Sequence, residues 1–226
     1  MDQKLPFTSY DFWAYLSAGF LLLFAVDYVI GTHLLARDAW TVVQSIGAIS
    51  CAYAVGQIIG SMSLVAFENI LVGKLLGYPR DILFGNTKAG RWARLLLPAY
   101  FQTLPLETQR AALERGKKVG INSPGEALFW PAYANARTTP AVMSRLENFL
   151  NLYGFCRNVA FVAYVDAALL YWSYRWGGGP SDNLVWACGA LFIGAGMTVR
   201  YLKFFRCYAL EVFTSYAYSQ DHDKSQ

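Results

Sequence analysis

Residues 41–67, TVVQSIGAISCAYAVGQIIGSMSLVAF, run for 27 positions without a formal charge. About 20 apolar residues suffice to carry a helix across the hydrocarbon core of a bilayer, so this run is long enough to span one. It also places a small residue at every fourth position, Ala48, Ala52, Gly56 and Gly60. Such a ridge lets two helix backbones approach closely in lipid. Four residues turn a helix by about 400°, so the ridge drifts by roughly 40° per step and winds obliquely, as a crossing pair requires. The fold class that follows is all-α: a polytopic membrane protein with this helix near its centre.

Composition alone does not decide the class. The chain is 55% hydrophobic with a mean hydropathy of +0.28, and soluble domains are near half apolar too. The arrangement decides it, because the apolar residues fall into four long blocks and the charges lie mostly between them. Cys51, Cys156, Cys188 and Cys207 form no C-x-x-C pair and are expected to be free thiols, buried or facing lipid. His33 and His222 stand near opposite ends of the chain, which argues against a histidine metal site within one protomer. No metal and no cofactor are expected. The N-terminal segment has Lys4, but it also has Asp2 and Asp11 before the apolar run and Asp27 where a small-residue cleavage site would be sought. It is expected to stay as a membrane anchor.

Four spans are predicted. The first covers about 10–31, opens on Tyr10, Phe12, Trp13 and Tyr15 as an interfacial belt, and holds Asp27 in its far third. After a short link, Asp38 is placed to cap the second helix. That helix continues past 67 to about Gly73, too long for the bilayer alone. Residues 74–153 form a cytoplasmic helical domain, with pieces at 88–97 and 106–118. Ser123-Pro124-Gly125-Glu126 has the pattern of a capping box with proline at the first helical position, and Thr139-Pro140 starts a further helix in the same way. The third span lies between Arg157 and Arg175, 17 residues whose single charge is Asp166. GGGPSDN at 177–183 is a turn, with Ser181 or Asp182 as cap. The fourth span covers about 184–204, and 205–226 is a helical extension with a fraying tail. The organisation is thus 1–73 for spans one and two, 74–153 for the cytoplasmic domain, 154–204 for spans three and four, and 205–226 for the extension.

Basic residues orient this bundle. The links at 32–38 and 177–183 contain Arg37 as their only Lys or Arg, whereas 74–157 holds 12 Lys/Arg against five acids. The central domain and both termini are therefore expected in the cytoplasm.

Asp166 is the sharpest candidate for function. A carboxylate in mid-span costs roughly 2.5–3.5 kcal/mol to insert, so it should face other helices or water. One reading makes it line a cation pathway in an oligomer or relay protons; the other makes it a neutral buried carboxyl bonded to Gln57 at similar depth. Asp27 and Arg175, both near the outer side, are expected to pair. The small-residue ridge serves a helix of the same chain or of a second subunit. In the basic domain, Arg91, Trp92 and Arg94, then Arg110, Arg115, Lys117 and Lys118, and Trp130, Tyr133 and Arg137 interleave cations with aromatics. Three readings stand: a site for a nucleotide or nucleic acid with stacking aromatics, attraction to anionic lipid headgroups, or the positive-inside bias alone. GNTKAGR at 85–91 lacks the spacing of a phosphate loop, there is neither H-E-x-x-H nor G-x-S-x-G, and Glu107 and Glu114 read as solvated surface. An enzyme is not expected.

The opening Tyr10-Asp11-Phe12-x-x-Tyr15-Leu16-x-x-Gly19, and Leu146-Glu147-x-Phe149-x-x-Leu152-Tyr153-x-Phe155-x-Arg157-Asn158 at the entry to the third span, resemble small four-span bacterial inner-membrane proteins of unassigned function. In plan the chain is also similar to membrane effectors of anti-phage systems. That resemblance implies a response to a nucleotide or nucleic-acid signal and an action on the membrane. The expected function is a homo-oligomer in contact with membrane lipids that forms or gates an ion pathway through the inner membrane, controlled by the cytoplasmic domain. The alternative is a non-conducting scaffold that recruits a soluble partner protein.

Overall fold

Thr41 starts the central helix through a reciprocal cap: its Oγ1 accepts from the Gln44 backbone N–H at 3.3 Å, and the Gln44 side chain accepts from the Thr41 N–H at 3.0 Å. Two of the otherwise unmet donors at the helix start are satisfied this way. The computed structural model describes residues 11–35, 37 and 39–219. Tyr10, Asp38, His222 and the tail 221–226 lie outside the described residues, as do the side chains of Phe12 and Trp13. The first helix, α1 (Ser17–Ile30), follows a π-helical segment, Asp11–Leu16. α2 (Val42–Ser63) runs on as π-helical turns over Leu64–Leu76. Then come α3 (Pro79–Ile82), α4 (Arg91–Leu96), α5 (Leu106–Lys118), α6 (Glu126–Ala136), α7 (Pro140–Arg175) and α8 (Asp182–Tyr218). The protein is all-helical, and no strand occurs among the described residues.

Two of these helical runs are long and apolar enough to cross a membrane, Val42–Ile82 and Asp182–Tyr218. The helix ending at Ile30 is apolar but shorter. α7 is long enough at 36 residues, yet it carries Asp166 and a polar first half and does not meet that standard.

The chain divides into two compact units. The first comprises the chain up to Asn69 with Gly154–Tyr201. Large apolar side chains on it point outward, among them Val43, Ile58, Val185 and Phe192. Its interior is built on small residues: Ala18, Ala52, Gly56, Ala160 and Ala163 are buried.

The second unit comprises Ile70–Tyr153 with the chain from Leu202 onward. Its core gathers Leu83, Leu128, Leu146, Val212 and Phe213, with Phe84 and Phe129 edge-on to Phe213 at 4.9 and 5.9 Å. Two expected local features differ here. α6 begins at Glu126 behind Gly125, which takes φ +82° and leaves Ser123 without a capping role. That φ is open to glycine at little cost, and the helix start has no side-chain cap bond. The helix expected over 88–97 is confined to Arg91–Leu96, because Gly90 is extended at its start.

Tyr100 is buried, and its hydroxyl donates to the Gly77 carbonyl at 2.8 Å. Burial pushes this hydroxyl up from its ordinary value, so the fold holds the protonated form. The bond's contribution is therefore whole below pH about 10, the unfolded tyrosine's range. It declines above that pH, where the unfolded chain ionises and the folded one does not. Tyr100→Phe should cost about 1–2 kcal/mol at neutral pH, and the gap to wild type should close as pH rises past about 10. Denaturant unfolding of the full chain in detergent micelles on either side of that pH checks this.

Candidate functional site

In the first unit α2, α7 and the N-terminal helix meet around charge and polarity withdrawn from solvent. Arg157 on α7 is 5% exposed, and Ser63 and Asn158 are fully buried. The Arg157 guanidinium pairs with Glu68 through Nη1 and donates from Nε to Ser63 Oγ at 3.1 Å. The Ser63 hydroxyl donates to Asn158 Oδ1 at 2.6 Å, and Asn158 Nδ2 donates to the Ala14 carbonyl at 3.2 Å. The chain of contacts thus runs from an ion pair at the edge of the apolar run to the backbone of the N-terminal π-helical segment. π-turns interrupt the regular i→i−4 ladder, and both segments in which they occur, Asp11–Leu16 and Leu64–Leu76, contribute to this network.

Chemically this is a lock. The Arg157 guanidinium is held in an ion pair with Glu68. Ser63 is engaged as donor to an amide and acceptor from a cation, and neither neighbour is a base that could activate it. Among the described residues no three His, Cys, Asp or Glu side chains gather as a metal site would need.

The sequence singled out other residues. Asp166 lies on α7 eight residues beyond Asn158, half-buried, with Oδ1 buried and without a hydrogen-bond partner among the described residues. The bond expected from Gln57 is not made to that atom; Gln57 is half-buried on α2.

The expected Asp27–Arg175 pair is replaced by local bonds. Asp27 accepts from the Thr32 hydroxyl and from the backbone N–H groups of Leu34 and Leu35, both at 2.9 Å. Gly31 ends α1 at φ 76°, and the Thr32 N–H returns to the Asp27 carbonyl at 3.2 Å. This left-handed helix ending brings the following N–H groups back over the Asp27 side chain. Arg175 is exposed and lies over the Trp176 ring, 5.8 Å from its centroid. A second polar cluster ties α1, α7 and α8 in this unit: Asn183 Nδ2 donates to Ser173 Oγ, and Tyr28 donates to Asn183 Oδ1, both at 3.1 Å.

Of the ridge, Ala52, Gly56 and Gly60 are buried and Ala48 is half-buried. A Cβ on Gly56 would overlap the Tyr15 carbonyl, and one on Gly60 the Tyr15 ring. The ridge is therefore occupied by the N-terminal helix of the same chain.

In the second unit Arg91, Trp92 and Arg94 stand exposed on α4, and Arg110, Lys117 and Lys118 stand exposed on α5. Arg115 is committed elsewhere. It donates to the carbonyls of Tyr216 and Ser219 and lies over the Tyr216 ring at 5.3 Å, which suits a cation at the C-terminus of α8. Tyr133 stacks on Phe129 inside the aromatic cluster, while Trp130 is exposed.

Sequence reasoning missed the Ser63–Glu68–Arg157–Asn158 network. A signal existed: Glu68 is the first acid after one apolar block and Arg157 the last base before another, so antiparallel helices would set them at one depth. Comparison of the chain with family models, with curated proteins and with solved structures returns no match.

Proposed function

We propose that the chain crosses a bacterial inner membrane four times, through α1 with the turns before it, α2, the 158–174 stretch of α7 and the 184–204 stretch of α8. Both termini and the second unit lie on the cytoplasmic side. A homo-oligomer of this bundle forms or gates an ion pathway under the control of the second unit. The topology is supported by the outward-facing apolar side chains of the first unit, of a kind soluble monomers rarely expose as large contiguous patches.

The observation that carries the pathway is Asp166. Its buried Oδ1 finds no donor among the described residues, in a segment where an ionisable group is costly and usually functional. A cation or a transferable proton is the partner such an oxygen attracts. Control then requires a ligand that binds one packing of the helices better than another. Arg110 and Lys117, seven apart on one face of α5 and both exposed, supply cations for an anionic signal. The similarity in plan to anti-phage effectors makes nucleotides and short nucleic acids the first ligands to try.

Purified protein in liposomes should pass cations, and Asp166→Asn should lower that flux about tenfold or more while elution volume and helicity stay as in wild type. Unchanged flux in Asp166→Asn would remove this residue from the pathway. Absence of flux together with a stoichiometric soluble partner would favour the scaffold reading.

A further inference from the structure

α4 is a helix with no buried residue, and what it exposes is apolar: Trp92 is 78%, Leu95 71% and Leu96 76% exposed. At about 100° per residue these three side chains share an arc of roughly 100°; on its Leu95 side Arg91 lies about 40° and Arg94 about 100° beyond the edge. The charge around it is one-sided. From Ile82 to Leu106 the chain contains Lys88, Arg91 and Arg94 and no acid, and all three cations are exposed. An apolar arc with a cationic flank is the composition of a helix that lies in the plane of a membrane surface, and tryptophan is the residue enriched at that depth. Single-stranded nucleic acid would use the indole and the arginines for stacking and phosphate contacts, but it has no use for Leu95 and Leu96. Anionic lipid uses all five side chains. The tether is short: Arg91 follows the end of the Leu64–Leu76 turns by 15 residues, at most about 50 Å of chain.

We propose that α4 is a membrane-surface anchor. Trp92, Leu95 and Leu96 enter the boundary between headgroups and acyl chains of an anionic leaflet, and Arg91 and Arg94 bind the lipid phosphates. The inference rests on the reading that α2 crosses the same membrane. It gives the second unit a contact with lipid that no span supplies.

The test uses the full chain reconstituted in vesicles of phosphatidylglycerol and phosphatidylcholine with brominated acyl chains. The difference in emission between wild type and Trp92→Phe isolates one of the seven tryptophans. That difference should be blue-shifted and quenched by the brominated lipid. It should become red-shifted and open to aqueous iodide in the Leu95→Glu/Leu96→Glu variant, and it should weaken when phosphatidylglycerol is left out. If the Trp92 share is quenched by iodide and spared by bromine while the other tryptophans are quenched by bromine, the spans stand and the anchor is overturned. Bromine quenching of none of the tryptophans would instead overturn the membrane reading itself. Quenching of Trp92 by a short oligonucleotide in place of lipid would also overturn the anchor and return α4 to nucleic-acid binding.

Discussion

Arg157→Ala is expected to destabilise the protein by about 3 kcal/mol or more, enough to deplete folded material during purification. Arg157 is all but withdrawn from solvent, and it is the donor on which Glu68 and Ser63 depend. Removing one partner of a buried pair leaves the other charge uncompensated, at a cost of about 3–5 kcal/mol. The Glu68 side chain keeps 21% of its exposure, so some of its charge stays solvated and the lower end of that range applies. Glu68→Gln should cost less, because Ser63 still accepts from Arg157. The informative variant is the double one, Glu68→Met/Arg157→Met, which removes both charges and fills the space with flexible apolar chains. Replacing a whole buried pair by apolar groups of similar volume is often neutral, so the double variant should recover most of the loss. Thermal unfolding in detergent with size-exclusion chromatography reads all three. A double variant as unstable as Arg157→Ala would mean that Arg157 acts through its Nε bonds, to Ser63 Oγ at 3.1 Å and to Asn158 Oδ1 at 3.4 Å, and that the ion pair contributes little.

What could be read along the chain was whatever is settled locally. The uncharged run at 41–67 and the start at Thr139-Pro140 depend on neighbours in sequence, and the helices Val42–Ser63 and Pro140–Arg175 lie where those signals place them. Ser123 was expected to cap α6 because the pattern of residue types fits, but the pattern carries no information on φ, and Gly125 at +82° moves the helix start past it. Asp27 misled for a related reason. Two formal charges at one depth suggest a pair, yet an aspartate in the last turn before a glycine has backbone N–H groups returning to it within eight residues. The Ser63–Asn158 and Arg157–Glu68 contacts join residues 95 and 89 apart. They exist only once α2 and α7 are neighbours, and no local rule chooses that pairing.

Gly19→Ala and Gly56→Ala should each destabilise the first unit by about 3 kcal/mol, at or beyond the upper end of ordinary overpacking. A Cβ on Gly19 would overlap the Ala52 carbonyl and stand 3.0 Å from the Gly56 nitrogen, and a Cβ on Gly56 would overlap the Tyr15 carbonyl. In both cases the obstacle is backbone, which cannot turn aside, so one methyl group must push two helices apart and loosen every contact along the crossing. Gly60 offers a graded comparison. Its Cβ would meet the Tyr15 ring, a side chain with rotamers to spare, and Gly60→Ala should cost less than either. Gly47 supplies the control on the same helix, since nothing lies within 4 Å of its Cβ position. Gly47→Ala should be neutral or stabilising by up to about 1 kcal/mol, the helix-propensity gain of alanine over glycine. The order Gly47, Gly60, then Gly56 with Gly19, measured as unfolding midpoints in detergent, is specific to a ridge occupied within the protomer. Were the ridge instead the contact between subunits, Gly56→Ala would dissociate the oligomer and leave the unfolding of the separated subunit unchanged. The ridge being used within the protomer, the proposed homo-oligomer needs other faces, and Ile46, Ile58 and Met62 are exposed on the same helix.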